Sequence, residues 1–251
     1  VYENHKWQPQ LAIETFFFDC DSTLSLVEGI DVLASMNDIE EEVKKITRRC
    51  MEQTGLNTND YKTRLDLAKP TKQQVKCLGK IYYENITPGA KEVIKILKSF
   101  KKKIFILSGG IQQALQIFAK KIGVDGSNVY GVEIYFDRYG RYSGFRKNPL
   151  ADKNGKRTMI QLLTKPDEKT LLIGDGMSDF EAASYVTRFV GFSGSKQNSF
   201  LRKHAEFCIN HNSLFPLLPL SLTSFEAKKL TSKDRLYYEK GLADIENFII
   251  E

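Results

Sequence analysis

The chain has 251 residues, enough for one large domain or two unequal ones, and its 41% apolar and 27% charged residues are an ordinary globular balance. The formal charge of +6 comes from scattered lysines without any block of roughly five or six like charges, which argues against nucleic acid as a partner. No apolar run reaches the ~18 residues of a membrane helix, Val1 to Gln10 lacks a signal-peptide apolar region, and four cysteines form no CxxC pair, so a cytoplasmic protein with reduced thiols, no zinc and no membrane partner is expected.

Thr15 to Phe18 predicts a strand buried on both faces, and it delivers Asp19 and Asp21 two residues apart. While strand geometry lasts these carboxylates share a face, where two anions repel unless a cation sits between them. Magnesium, which favours hard oxygen ligands, suits that position. Taken alone, the segment reads equally as a strand followed by an acidic turn. From Ser25 to Asn85 the spacing is helical: Leu26, Ile30, Leu33 and Ala34 make one stripe, and Ile39, Val43, Ile46 and Cys50 a second. Tyr61, Leu65 and Leu67 precede Pro70, and Thr71 to Tyr83 continues as helix. Such a stretch is too long for a simple crossover and predicts a helical cap, residues 25–85, inserted into a core of residues 1–24 and 86–214.

Thr87 reads as an N-cap with Pro88 at the first helical position. A helix on Ala90, Val93, Ile94 and Leu97 then leads to a buried strand, Ile104 to Leu107, a turn at Ser108-Gly109-Gly110 and another helix through Ile122. Val129 to Tyr135 and Tyr139 to Phe145 predict a hairpin. Lys156 to Leu163 is a helix, Leu171 to Ile173 a buried strand ending at Gly174-Asp175-Gly176, and Ala182, Ala183 and Val186 suit a helix behind it. Phe189 to Phe192 and Phe207 to Ile209 are further strand candidates. The pattern is that of an α/β, Rossmann-like parallel sheet core. The tail, residues 215–251, has helical spacing in Leu242, Ile245, Phe248 and Ile249, compatible with a closing helix, a lid or an oligomer contact.

Chemistry-bearing residues collect where these strands end, and open parallel sheets present such ends side by side. Asp19, Asp21 and Asp175 converging would hold magnesium, Ser108-Gly109-Gly110 would offer a hydroxyl and backbone N–H groups to a phosphate, and Lys153 or Lys156 would supply a cation. Metal, lysine and backbone donors make an inventory for phosphoryl transfer, with one Asp as nucleophile and a second as acid and base. His5, His204 and His211 all lie outside these strand ends, which removes a Ser-His-Asp alternative.

Asp19-Cys20-Asp21-Ser22-Thr23, Ser108-Gly109-Gly110, a downstream lysine and Gly174-Asp175-Gly176-Met177-Ser178-Asp179 resemble, in order, the four motifs of the haloacid dehalogenase superfamily. Glu28-Gly29-Ile30-Asp31, Thr47-Arg48-Arg49-Cys50-Met51 and Thr87-Pro88-Gly89 are similar to its phosphoserine phosphatase branch, and the likeness runs from about Phe16 to Ile209. The resemblance implies Asp19 as nucleophile, Asp21 as acid and base with its backbone carbonyl on the metal, Asp175 as a direct magnesium ligand beside Asp19, and Asp179 one shell out. Lys156 with Ser108 and Gly109 would bind phosphate, Glu28 the substrate ammonium, Arg64 its carboxylate, and Met51 would line the substrate site. Two positions depart from the pattern. Arg157 follows Lys156 where a small residue is usual, with Lys153 close enough to compete, and Asn57 stands where a Phe is common, after a Glu52-Gln53-Thr54-Gly55 run that is not the usual small-residue turn. The expectation is a magnesium-dependent hydrolase of O-phosphoserine or a close phospho-amino acid, acting as a monomer or homodimer on a small phosphorylated substrate. Transfer to an amino-acid alcohol such as homoserine, action on a different small phosphomonoester, and a non-catalytic binding protein are the alternatives.

Overall fold

In chain order the strands are β1 (Thr15–Phe18), β2 (Lys103–Ile111), β3 (Val129–Val132), β4 (Ile134–Phe136), β5 (Tyr142–Phe145), β6 (Thr170–Gly174), β7 (Arg188–Phe192) and β8 (Phe207–Ile209). The computed structural model describes residues 7–53, 57–194 and 198–246, without the side chains of residues 50–53 and 246. Six strands form one parallel sheet in the order β3-β2-β1-β6-β7-β8, while β4 and β5 pair as a separate antiparallel ribbon. All four residues of β1 are buried, as a strand with parallel neighbours on both sides requires. Phe16 and Phe18 enter a large cluster with Ile94 and Phe118, whereas Phe17 enters a smaller one with Ile160, Leu172 and Leu201 and stacks on Phe105 at 5.4 Å. Truncating any of these rings to Ala would cost about 3–5 kcal/mol. Strand order reverses beside β1, so the carboxyl ends of β1, β2 and β6 border one crevice.

Four helices fill the insertion between β1 and the next core helix: α1 (Gly29–Ser35), α2 (Glu40–Gln53), α3 (Thr58–Ala68) and α4 (Lys72–Glu84). Thr71 and Gln74 close α4 with a capping box, and the Asn57 carboxamide caps α3 by accepting from Asn59 N and Asp60 N. The two connections run side by side, Leu26 N donating to Asn85 O (2.8 Å) and Thr87 N to Leu24 O (3.0 Å). The core helices are α5 (Ala90–Ser99), α6 (Gln112–Ile122), α7 (Gly155–Leu163), α8 (Met177–Glu181) and α9 (Ser199–His204). The tail folds as α10 (Leu217–Ser221), α11 (Ser224–Lys228) and α12 (Ser232–Glu246). Leu218, Leu222, Tyr238 and Ile245 bury it in the large cluster, Arg188 donates to Trp7 O and Leu220 O, and none of its described residues reaches the crevice. Phe248 and Ile249 lie outside the described residues.

Local expectations change in five places. Helix α5 is capped by Gly89 at φ 84°, because the Thr87 hydroxyl is spent on Thr23 O at 2.6 Å. Leu26 lies before α1 and is exposed, since the helix begins only at Gly29. Ser108-Gly109-Gly110 is not a turn: β2 stays extended to Ile111, with a register shift against β3. The 129–135 strand breaks at Glu133 where α6 captures its backbone, Gly131 N donating to Gln112 Oε1 and Gln113 Nε2 to Ile134 O. Helix α8 ends at Glu181 and a single 3-10 turn follows at 183–185, since Thr170 and Thr187 exchange hydrogen bonds that require extended backbone.

Candidate active site

Asp19 directly follows β1 and keeps its register, its N–H donating to Ile173 O at 3.0 Å. Ser108 belongs to β2, Asp175 follows β6, Asp179 sits in α8, and Lys156 occupies the first turn of α7. With Glu28, Thr47, Arg64 and Tyr82 from the cap, they enclose a cavity of about 180 Å³.

Lys156 is 4% exposed, and its Nζ lies 3.0 Å from Asp19 Oδ1 and 2.7 Å from Asp179 Oδ1. Burial opposes its charge, but Asp179 and Asp19 together outweigh that and hold its pKa above the usual lysine value. One carboxylate oxygen from each of Asp19, Asp175 and Asp179 lies within 4.8 Å of the others. Three carboxylates facing one ammonium leave an excess of negative charge on hard oxygen donors, which fits a small divalent cation such as magnesium. The Asp21 carboxylate is not in that group. It turns toward the cap, where Oδ1 accepts from Gly29 N (2.6 Å) and Tyr82 Oη (2.7 Å), and Oδ2 accepts from Ser108 Oγ (3.2 Å). Asp179, expected one shell out, stands among the clustered carboxylates. Burial, reinforced by Glu28 and Asp19, pushes the Asp21 pKa up to about 7 against the pull of its Gly29 and Tyr82 donors. Burial likewise raises Asp179, with Lys156 pulling the other way. Cys20 lies between the two leading aspartates, and burial pushes its thiol well up, as suits a packed and unreactive group.

On the cap side, Glu28 Oε1 accepts from Ser22 Oγ at 2.6 Å, and Ser22 takes a left-handed backbone, φ 55°, to reach it. Arg64 is 8% exposed; its Nη1 donates to Thr47 Oγ1 at 3.2 Å, its guanidinium lies 5.7 Å from the Tyr61 ring centre, and its buried Nε has no hydrogen-bond partner among the described residues. A buried cation with an unspent donor is a costly arrangement unless an anion joins it. The backbone of Met51 lies in α2, but its side chain lies outside the described residues, as does the Thr54-Gly55 turn. Gly109, Lys153 and Lys156 all line the cavity, Lys153 exposed and Lys156 buried. Two contributors carried no sequence signal. Asn198, which donates to Asp175 O at 2.9 Å, reads as a cap for α9. Tyr82 falls on the apolar stripe of Val75 and Leu78.

A family model for haloacid dehalogenase-like hydrolases matches residues 13–187. The chain belongs to this family. Among relatives of this haloacid dehalogenase-like hydrolase, human phosphoserine phosphatase is 32% identical over 195 residues, spanning 76% of this chain and 87% of the human protein. Phosphoserine phosphatase of Methanocaldococcus jannaschii is 28% identical over 207 residues, 80% of this chain and 94% of that one. A solved phospho-aspartyl intermediate analogue of phosphoserine phosphatase superposes with a TM-score of 0.71 at 27% identity, covering 83% of this chain and 98% of that one. A substrate-bound phosphoserine phosphatase complex gives a TM-score of 0.71 at 25% identity over the same shares. The haloacid dehalogenase-like core thus brings Asp19, Ser108, Lys156, Asp175 and Asp179 to one cavity, and the insertion adds Glu28 and Arg64.

Proposed function

We propose that this enzyme is a magnesium-dependent phosphomonoesterase that hydrolyses O-phosphoserine or a close phospho-amino acid through an aspartyl-phosphate. The observation that carries the substrate assignment is Arg64, a buried guanidinium whose Nε has no partner among the described residues, sharing one cavity with Asp19 and Lys156. Its planar fork suits a substrate carboxylate, Glu28 the ammonium beside it, and Met51 the substrate's flank. Asp19 Oδ1 is occupied by Cys20 N (2.8 Å) and Lys156 Nζ (3.0 Å), which leaves Oδ2 to attack phosphorus. As that bond forms, the ester P–O bond breaks and the departing serine oxygen takes the proton of Asp21, whose raised pKa keeps one available near neutrality. Water then attacks the phosphorus of the aspartyl-phosphate and gives a proton to Asp21, and the P–O bond to Asp19 breaks to release phosphate. Ser108, Gly109 and Lys156 would hold the phosphoryl oxygens through both steps. Asp19, Asp175 and the Asp21 backbone carbonyl would hold magnesium, with Asp179 beside them, and its charge would offset that of the phosphoryl group. The same reading divides the chain into a core of residues 1–24 and 86–214, a cap of 25–85 and a tail of 215–251. It sets the enzyme in the cytoplasm as a monomer or homodimer.

Phosphate release from a panel of phosphomonoesters with magnesium tests the assignment. O-Phosphoserine is expected to lead the panel in kcat/KM. A ranking in which it does no better than a generic aryl phosphate would overturn the roles of Glu28 and Arg64.

A further inference from the structure

Tyr82 lies in the last full turn of α4, is wholly buried, and places its hydroxyl 2.7 Å from Asp21 Oδ1. Gly29 N donates to the same oxygen at 2.6 Å. With two donors, Oδ1 is the anionic end of the carboxyl, and a proton carried by Asp21 belongs on Oδ2, the atom that also meets Ser108 Oγ. The surroundings are shaped around the phenol. A Cβ on Gly29 would stand 2.1 Å from Tyr82 Oη, and one on Gly110 would stand 3.2 Å from Oη and 2.8 Å from Asp21 Oδ2.

The ring is anchored as firmly as the hydroxyl. It packs on Phe118 of α6 at 5.8 Å, and the Tyr82 carbonyl accepts from Ser25 Oγ at 2.9 Å. Gly79, one turn earlier, lets α4 approach α6 so closely that a Cβ there would meet Ile117 Cβ at 2.7 Å and the Ala114 carbonyl at 2.9 Å. Tyr82 therefore leaves the cap on a helix locked to the core, and its hydroxyl keeps a fixed place beside Asp21.

We propose that Tyr82 is a positioning residue that holds the Asp21 carboxyl with Oδ2 aimed at the substrate's departing oxygen. This rests on the reading of Asp21 as the acid toward the leaving group. A phenol that merely satisfies its hydroxyl on the nearest acceptor would have the same contacts, so the test must separate the two by chemistry. An alkoxide such as that of serine is a poor leaving group and needs the proton; a nitrophenolate leaves without it.

The experiment compares kcat at saturating O-phosphoserine and at saturating 4-nitrophenyl phosphate, both with magnesium, in wild type, Tyr82→Phe, Gly29→Ala and Asp21→Asn. Tyr82→Phe keeps the ring against Phe118, and Gly29→Ala displaces the hydroxyl while leaving it in the chain. Each is expected to lower the phosphoserine value by about tenfold and the nitrophenyl value by less than about twofold. Asp21→Asn should show the same bias at about 100-fold or more. Because each result is a ratio within one preparation, a partly misfolded sample cannot imitate it. An equal loss on both substrates, or no loss, in Tyr82→Phe and Gly29→Ala overturns the role of Tyr82 when Asp21→Asn keeps the bias. Loss of the bias in Asp21→Asn itself overturns the acid reading instead.

Discussion

On the sheet side of the cavity Lys156 is gripped by Asp19 and Asp179, whereas on the cap side Arg64 has the Thr47 hydroxyl and a buried Nε with no partner among the described residues. The sheet side is electrostatically organised before any substrate arrives; Asp19 is fixed by strand register and Lys156 and Asp179 by the core helices α7 and α8, and their mutual distances are those of ordinary ion pairs. The cap side is unfinished, and the charge that would complete it is the one a carboxylate-bearing ligand brings. Changes on the sheet side should therefore act on turnover and on the fold together. Changes on the cap side should act on which phosphate is accepted and leave the fold alone.

The largest effect is expected from Asp19→Asn, which keeps the shape and removes the attacking oxygen's charge. Turnover should fall by roughly 10⁴-fold or more, measured as steady-state phosphate release. Surviving turnover would break the distinction at its root. Lys156→Met should be the most damaging for stability on this side, because it leaves Asp19 and Asp179 buried and facing each other without their cation. A loss of about 3–5 kcal/mol in urea unfolding, together with loss of turnover, is the expected outcome.

Arg64→Lys tests the other wall. It keeps the charge but loses the planar fork and the Nε donor, so kcat/KM for O-phosphoserine should fall about 100-fold. The value for an aryl phosphate, which has no carboxylate to grip, should change by less than about threefold, and the unfolding midpoint should hold or rise. An equal fall on both substrates would mean that the two walls are not functionally separate.

The same contrast governs what could be read from the sequence. The sheet side is legible because a buried strand forces a continuous apolar run, and Phe16-Phe17-Phe18 followed at once by Asp19 and Asp21 marks a strand end without any knowledge of the neighbours. Three such ends, in β1, β2 and β6, suffice to place one crevice. The cap side depends on side chains reaching between helices. Tyr82 has the spacing of a core residue on α4, and only its meeting with Asp21, 61 positions away, reveals more. Asn57 looked like a lost aromatic, yet its carboxamide caps α3. The tail was ambiguous for a related reason: the partners that bury Leu218 and Tyr238 lie in segments distant in sequence.

Asp21 stands where the two walls meet, and pH should expose the cost of keeping it there. Its pKa is raised from 3.8 to about 7 by burial beside Glu28 and Asp19, so the folded chain holds this proton more tightly than the unfolded chain does. Between those two values stability must fall as pH rises, and above about 7 the loss is complete. Asp21→Asn has no proton to lose. Without magnesium, its unfolding free energy should match that of wild type near pH 4 and exceed it at pH 8 by an amount on the order of 4 kcal/mol, with a melting temperature raised to match. Thermal melts of both proteins across that range measure the difference directly. A constant offset would mean that Asp21 is as readily ionised in the folded chain as in the unfolded one, and that its carboxyl is satisfied by its Gly29, Tyr82 and Ser108 donors alone.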